Sequence, residues 1–268
     1  AEVQDRHGVM YARAPRLRGA EIFLDGRTKS VGATVNIMLA AVLAEGTTVL
    51  ENASREPEVV SCENFLRSCG ADITGVGTSR LVIKGVKRLH PSSVRAIPDR
   101  METGTFLIAG LVTRGDVTVT DTRADHMDIV IRELVKAGAQ IDRSQDRVRL
   151  RMRMRPNPLE IATSPYPGFP TDLQPNMAVA AAIATGTSVI EETIFDNRFT
   201  YADELKRMGA DIQVKEHLAI LRGVERLSAA PVVAMDLRAG SALALAALAA
   251  DGETAISGAN VLDRGYER

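Results

Sequence analysis

The chain has 268 residues, 45% hydrophobic and 25% charged, the balance of a soluble globular protein with one large or two ordinary domains. Lys+Arg 33 against Asp+Glu 34 leave a net charge of -1, and without Trp and with 4% aromatic residues the chain lacks the basic footprint and stacking platforms of a nucleic-acid binder. No apolar stretch reaches the length of a membrane span, no signal-peptide pattern opens the chain and two cysteines form no disulfide framework, so a cytoplasmic location is expected, with neither nucleic acid nor membrane as partner.

Glycine punctuates the chain periodically. Gly46, Gly115, Gly186 and Gly252 sit in AEGTTVLEN, TRGDVTVTD, ATGTSVIEE and ADGETAISG, at intervals of 69, 71 and 66 residues. A second marker follows the first three at Gly70, Gly138 and Gly209, in SCGADI, KAGAQI and RMGADI. Self-similarity at such a period predicts one βα motif with two helices, stacked several times.

The predicted first helix of each repeat lies in VGATVNIMLAAVLAE, METGTFLIAGLVTR, PTDLQPNMAVAAAIAT and LRAGSALALAALAAD. These are apolar nearly all round, which predicts burial on every side, with the helices bundled centrally and the strands outside. The second helices are amphipathic: Val59, Cys62, Leu66 and Cys69 step by 3, 4 and 3, and Met127, Val130, Leu134 and Ala137 repeat the steps. RLVIKGV and LAILRGV read as strands, with Gly85 and Gly223 two periods apart, and VRLRMRMRP alternates as a strand with one wet face. The segment HPSSVRAIPDR reads as a linker, which divides the chain near Asp99 into 1–98 and 99–268. The phase at both ends leaves a half-repeat on each side. A fragment of a larger protein is therefore expected, whose isolated chain would expose apolar stripes, aggregate or bind a hydrophobic dye.

Functional candidates are departures from the repeat. Ten residues before Cys69, Ala137 and Met208 stand Val59, Met127 and Arg198; the third copy alone places an arginine there, in FDNRF, and the fourth holds Arg264 in LDRGYER. Such an arginine is either simply exposed or functional. The starts of the buried helices form a second cluster: Lys29-Ser30-Val31, Asp99-Arg100, Thr171-Asp172 and Asp236-Leu237-Arg238. Helix N-termini favour anions, although Ser30, Thr171, Asp99 and Asp236 are each better read as N-caps. Arg100 and Arg238 oppose the helix dipole and call for an anion, phosphate or carboxylate, that their fork can grip. Asp172 follows Pro165, Pro167 and Pro170, which stiffen its loop, and a plain Pro-Thr-Asp helix start explains the same letters. Cys62 and Cys69 read as small hydrophobes; His7, His90, His126 and His217 lack metal-ligand spacing, and no phosphate-binding glycine loop occurs, so neither metal nor cofactor is expected.

GATVNIMLAAVLAEGTTVLENASREPEVV, IPDRMETGTFLIAG, PGFPTDLQ, FDNRF, MDLRAG and LDRGYER together resemble the UDP-N-acetylglucosamine 1-carboxyvinyltransferases, enolpyruvyl transferases related to the shikimate-pathway synthase that also uses phosphoenolpyruvate. The resemblance covers essentially the whole chain. It implies two inside-out α/β barrel domains of repeated βα units with buried central helices, the first present here as a remnant and the second incomplete at its C-terminal end. It implies transfer of the enolpyruvyl group of phosphoenolpyruvate to the 3-hydroxyl of UDP-N-acetylglucosamine, the first committed step of peptidoglycan synthesis. By motif, Asp172 resembles the carboxylate that takes the hydroxyl proton, and Arg198, Arg238 and Arg264 the clamp for phosphoenolpyruvate. Ser30 and Val31 are similar to a uridine-diphosphate contact; the family has lysine where Thr28 aligns, which moves the basic contact to Lys29. Ile194 resembles a second nucleotide-sugar contact, and Glu56 and Asp99, with Arg100 beside it, match residues lining the cleft. The family's catalytic Lys-Asn pair and loop cysteine belong to a stretch upstream of Ala1, and neither Cys62 nor Cys69 occupies that loop. A non-catalytic UDP-sugar-binding fragment and a 3-phosphoshikimate 1-carboxyvinyltransferase are the alternative readings.

Overall fold

The computed structural model describes residues 2–26 and 29–267. Thr28 lies outside the described residues. The chain forms two compact bodies, divided between Ile97 and Pro98.

The first body begins with an antiparallel hairpin, β1 (Glu2–Arg6) and β2 (Val9–Arg13). Then come β3 (Glu21–Phe23), α1 (Val31–Ala41), β4 (Thr47–Glu51), α2 (Pro57–Ser68), β5 (Asp72–Thr74) and β6 (Arg80–Lys84). One sheet has the order β3-β4-β6-β5, with β3 parallel to β4 and the other neighbours antiparallel. Leu50, Leu81 and Ile83 point from it into a core with Met38 and Leu66.

The second body repeats the plan. It holds α3 (Arg100–Val112), β7 (Asp116–Thr120), α4 (Asp128–Lys136), β8 (Gln140–Arg143) and β9 (Arg147–Arg151), then β10 (Glu160–Ala162), α5 (Gln174–Ala182), β11 (Thr187–Glu191), α6 (Ala202–Arg207), β12 (Asp211–Lys215) and β13 (Leu218–Arg222). Short parallel pairs, β14 (Leu227–Ser228) with β16 (Ala250–Asp251) and β15 (Val232–Val233) with β17 (Ile256–Ser257), flank α7 (Leu237–Ala249). The sheet orders β7-β9-β8 and β10-β11-β13-β12 match that of the first body. Helices α3, α5 and α7 pack on one another, and every residue of α5 is buried. The sheets lie outside them, which is the inside-out α/β arrangement.

The glycine markers have physical causes. Gly70, Gly138 and Gly209 end α2, α4 and α6 with φ of 95°, 102° and 86°, a backbone region closed to most side chains. After each, an alanine N–H returns to a helix carbonyl: Ala71 to Leu66, Ala139 to Leu134 and Ala210 to Leu205. The first markers are carbonyl acceptors: Gly46, Gly115 and Gly186 receive N–H bonds from Gly85, Met152 and Gly223 at 2.9, 2.9 and 3.0 Å.

Two expectations need correction. α1 is not buried on every side: only Thr34, Met38 and Ala41 are, and Leu39 and Leu43 are about half exposed. It packs chiefly on α2, β4 and β6, whereas α3, α5 and α7 pack on one another. Of these α5 alone is buried throughout; α3 exposes Phe106 and α7 exposes Leu248. The alternating stretch from Val148 stops being a strand at Arg151, because Met152 turns its N–H to Gly115 and the chain leaves the sheet, with Met154 exposed. Within β9, Val148 and Leu150 face the core while Arg149 grips Asp116 through two bonds of 2.8 and 2.6 Å.

Candidate functional site

The site residues divide between the two bodies. In the first, Ser30 caps α1, its Oγ accepting from the Ala33 N–H at 3.1 Å, and Val31 is the first helical residue. Lys29 is half-buried just ahead of them. One turn on, Thr34 Oγ1 donates to the Ser30 carbonyl and accepts from the Ser54 N–H at 3.0 Å. Ser54 Oγ in turn donates to the buried carboxylate of Glu56, at the start of α2. These four hydrogen bonds tie the start of α1, through Ser54, to the start of α2.

In the second body, the third repeat departs from the others at the start of its central helix. A 3-10 turn, Thr171–Leu173, leads into α5. Asp172 does not cap that helix. Its two oxygens take one guanidinium each: Oδ1 accepts from Arg198 Nη2 at 3.0 Å and Oδ2 from Arg238 Nη2 at 2.7 Å. Pro-Thr-Asp does start a helical segment, as the plain reading has it, and Asp172 in addition pairs with both arginines. Arg198 is not a merely exposed arginine: its side chain is 12% exposed, its Nε donates to Thr171 Oγ1 at 3.1 Å, and its Cζ lies 4.3 Å from the Phe195 ring centroid. Cation–π attraction and the planar fork orient it together.

Behind this pair sits Glu192, 1% exposed, just past β11. Its Oε2 accepts from Thr171, and its Oε1 accepts from Thr163 Oγ1 and the N–H groups of Ile194 and Phe195 at 2.9, 3.0 and 3.0 Å. The start of α7 is tied in separately. Asp236 caps it through the N–H groups of Arg238 and Ala239, and Thr200 Oγ1 donates to the other Asp236 oxygen at 3.1 Å. Tyr201 is fully buried and donates to Gln174 Oε1; burial first, and the charge of Glu192 second, push its hydroxyl far above the usual tyrosine range.

The remaining candidates lie apart from this cluster in their contacts. Asp99 caps α3, accepting from the N–H groups of Met101 and Glu102 at 2.6 and 3.2 Å. Arg100 stacks 5.6 Å over the Tyr166 ring. Ile194 contributes its N–H to Glu192. Arg264 ends a 3-10 turn, exposed and without an ion pair among the described residues, while Tyr266 beside it places its hydroxyl 2.8 Å from Thr105 Oγ1 on α3. No group of three His, Cys, Asp or Glu that could hold a metal occurs among the described residues, and no helix among them is long and apolar enough to cross a membrane.

Sequence reasoning missed Glu192 and saw Thr171 only as a cap. The signal was available in the repeat. Six residues after the glycine markers stand Asn52, Asp121, Glu192 and Gly258; three of the four adopt left-handed φ of 59°, 55° and 71°, and the glutamate does not.

Chemically, a half-exposed carboxylate can accept a proton, and two guanidiniums that each commit one Nη2 to it keep further N–H donors for an anion. That combination suits a reaction in which a hydroxyl is deprotonated beside a bound phosphate or carboxylate. Residues 1–268 match the profile of the family described as EPSP synthase (3-phosphoshikimate 1-carboxyvinyltransferase). The chain belongs to the EPSP synthase family. Within that family it is 48% identical over 267 residues to the UDP-N-acetylglucosamine 1-carboxyvinyltransferase 2 of Caldanaerobacter subterraneus subsp. tengcongensis, covering 99% of this chain and 64% of that protein. It is 46% identical over 267 residues to UDP-N-acetylglucosamine 1-carboxyvinyltransferase 1 of Carboxydothermus hydrogenoformans, covering 100% and 63%. The chain thus spans less than two thirds of the length of these relatives. The crystal structure of the enolpyruvyl transferase NikO from Streptomyces tendae superposes with a TM-score of 0.89 at 28% identity, over 98% of this chain and 66% of that one. EPSP synthase from Acinetobacter baumannii, with a TM-score of 0.73 at 20% identity over 99% and 65%, shares the fold. The family likeness carried by the motifs and the inside-out fold expected from the repeat therefore both hold.

Proposed function

We propose that the protein carrying this chain transfers the enolpyruvyl group of phosphoenolpyruvate to the 3-hydroxyl of UDP-N-acetylglucosamine. The observation that carries the reading is Asp172 held between Arg198 and Arg238, in a chain 46–48% identical to proteins with that activity in their names. Asp172 takes the proton of the sugar hydroxyl as its oxygen bonds to C2 of phosphoenolpyruvate, while C3 takes a proton from the loop cysteine that the family resemblance assigns to a stretch upstream of Ala1. Breaking the C2–O bond to phosphate and returning a C3 proton to that thiolate then release phosphate and leave the enol ether. Arg198 and Arg238, with Arg264, hold the phosphate and carboxylate, and their charge stabilises the anion that builds up on the leaving group. The resting Asp172 contacts suit this role, since the incoming anion competes with the carboxylate for the same donors and frees it to act as a base. Within the second body, Ile194 serves the nucleotide sugar, and Asp99 and Arg100 line its approach.

Phosphate release from the full protein with both substrates tests the reading. Release that requires UDP-N-acetylglucosamine supports it, release with shikimate 3-phosphate instead assigns the sister reaction, and calorimetric binding of the UDP-sugar without turnover replaces it with a binding role.

A further inference from the structure

Glu192 is a buried carboxylate that the reaction as written does not use. It is 1% exposed, and four donors occupy its two oxygens. Thr163 and the N–H groups of Ile194 and Phe195 hold Oε1, so among the described residues Oε2 is left to Thr171, at 2.9 Å. A hydroxyl has one hydrogen. Committed to Glu192, it leaves the oxygen's lone pairs facing the other way, where Arg198 Nε donates at 3.1 Å. With a carboxylate on one side and a guanidinium on the other, the hydroxyl's polarity has one favourable setting. Because the guanidinium is planar, fixing Nε also fixes the direction of Nη2, which meets Asp172 Oδ1 at 3.0 Å. The same carboxylate anchors the N–H of Phe195, whose ring lies beneath Arg198.

The repeat supplies an independent argument. At this position the other three copies hold Asn52, Asp121 and Gly258 in left-handed backbone, where the residue serves the chain reversal. Only the copy that carries the Asp172 cluster has a glutamate there, so the fold itself does not require one.

We propose that Glu192 is a positioning residue, acting through Thr171 to hold Arg198 against Asp172. The inference rests on the function proposed above. Glu192 touches no reacting atom.

Glu192→Gln is the direct test. Its amide oxygen keeps the three donors on the Oε1 side, which turns the NH2 group toward Thr171; that hydroxyl then faces N–H donors from both sides and its own hydrogen loses its acceptor. Thr171→Val removes the same link without touching the other three bonds of Glu192. In the full protein, each change is expected to lower kcat/KM on the order of tenfold or more, mostly as a higher KM for phosphoenolpyruvate. A merely structural role would instead lower kcat through lost folded enzyme and leave KM alone. The double variant should be no worse than Thr171→Val, since both changes cut one chain, and Thr171→Ser should recover most of the loss. A second readout does not depend on turnover: the Nε–H resonance of Arg198, assigned by its disappearance in Arg198→Lys, should shift in Glu192→Gln and Thr171→Val and stay in Thr171→Ser. An active wild type with an equally active Glu192→Gln, or with single effects that multiply in the double variant, overturns the inference. If the wild type is inactive the proposed function falls, and the resonance alone decides: an Nε–H that ignores Glu192→Gln overturns the relay.

Discussion

Replacing Asp172 by Asn removes the negative charge between two guanidiniums while keeping the side chain's size. One carboxylate serves both arginines, through different oxygens at 3.0 and 2.7 Å. The amide has a single acceptor oxygen, so one arginine must face its NH2 group, donor against donor, and the two cations lose their shared counterion. Opposite unit charges about 4 Å apart attract by about 4 kcal/mol at an effective dielectric of 20. The Asp172 side chain is 36% exposed, however, so water screens part of this and desolvation offsets more. Exposed pairs contribute about 0–1 kcal/mol and breaking a buried one costs about 3–5 kcal/mol, which places this half-buried double pair near ~2 kcal/mol. For a domain of this size that is a midpoint lower by about 4–8 °C. Turnover should be lost with it.

The same charge argument gives a second, sharper outcome. Without the carboxylate, Arg198 and Arg238 form an uncompensated anion site, and inorganic phosphate should stabilise Asp172→Asn more than the wild type. Phosphate at about 100 times its Kd contributes about 2.7 kcal/mol, enough to offset the whole loss. Thermal unfolding with and without phosphate, at sodium chloride-matched ionic strength, measures both effects. A variant as stable as the wild type in plain buffer would show that Asp172 is no shared counterion, and a phosphate shift equal in the two proteins would show that no anion site opens between the arginines.

Three further outcomes follow from the packing. A Cβ at Gly85 or Gly223 would stand 1.6 or 1.9 Å from the backbone oxygen of Ala44 or Ala184, atoms that cannot step aside, so Gly85→Ala and Gly223→Ala should each cost about 3 kcal/mol, read as a lower urea midpoint. Arg155 donates to the carbonyls of Ile183, Ala184 and Val224 at 3.1, 2.6 and 2.8 Å beyond the end of α5; Arg155→Met keeps much of the stem, orphans those oxygens and should cost about 3 kcal/mol in the same assay. Glu63 is buried, which pushes its carboxyl up, while the Gly77 N–H on Oε2 pulls it back less, and Oε1 has no partner among the described residues. A raised carboxyl means the folded state binds the extra proton, so its penalty is absent at acid pH and grows as pH rises above the ordinary carboxylate range. Glu63→Gln should therefore gain stability relative to the wild type between pH 4 and 7, and a difference that is flat with pH would contradict this.

The parts of the fold legible in the sequence are those where local chemistry leaves few choices. A glycine that must take positive φ to end α2, α4 and α6 recurs at the period of the repeat because the same carbonyls need the same partners each time. The stripe Met127, Val130, Leu134 and Ala137 is buried throughout, since helical spacing alone sets its face. What depends on neighbours far away in sequence was not legible. Composition gave α1 the same inward character as α5, yet how deeply a helix is buried depends on how many others pack round it. The Asp172 cluster joins residues 26 and 66 positions apart, and nothing near Asp172 announces that two arginines will meet there. Glu192 was visible only by comparing the repeats at a position where no charge was being sought.

The repeats also explain why the charged cluster sits where it does. Three of the four central helices begin with a side-chain cap, from Ser30, Asp99 and Asp236. The third begins without one: neither Pro170 at the 3-10 turn nor Leu173 at α5 supplies a capping bond. A cap contributes about 1 kcal/mol, so leaving it out needs a compensating interaction. Ser30, Asp99 and Asp236 each stand sixteen residues before their glycine marker, and the same count back from Gly186 reaches Pro170, which has no side-chain oxygen to offer. Thr171 and Asp172 follow it inside the 3-10 turn and direct their side chains to Glu192, Arg198 and Arg238. In this repeat the fixed φ of Pro170 replaces the capping bond as the constraint on where the helix starts, and the ion pairs of Asp172 tie that start to α7. Asp236 shows the alternative one repeat later: it keeps its cap and contributes to the cluster only by holding in place the helix that carries Arg238.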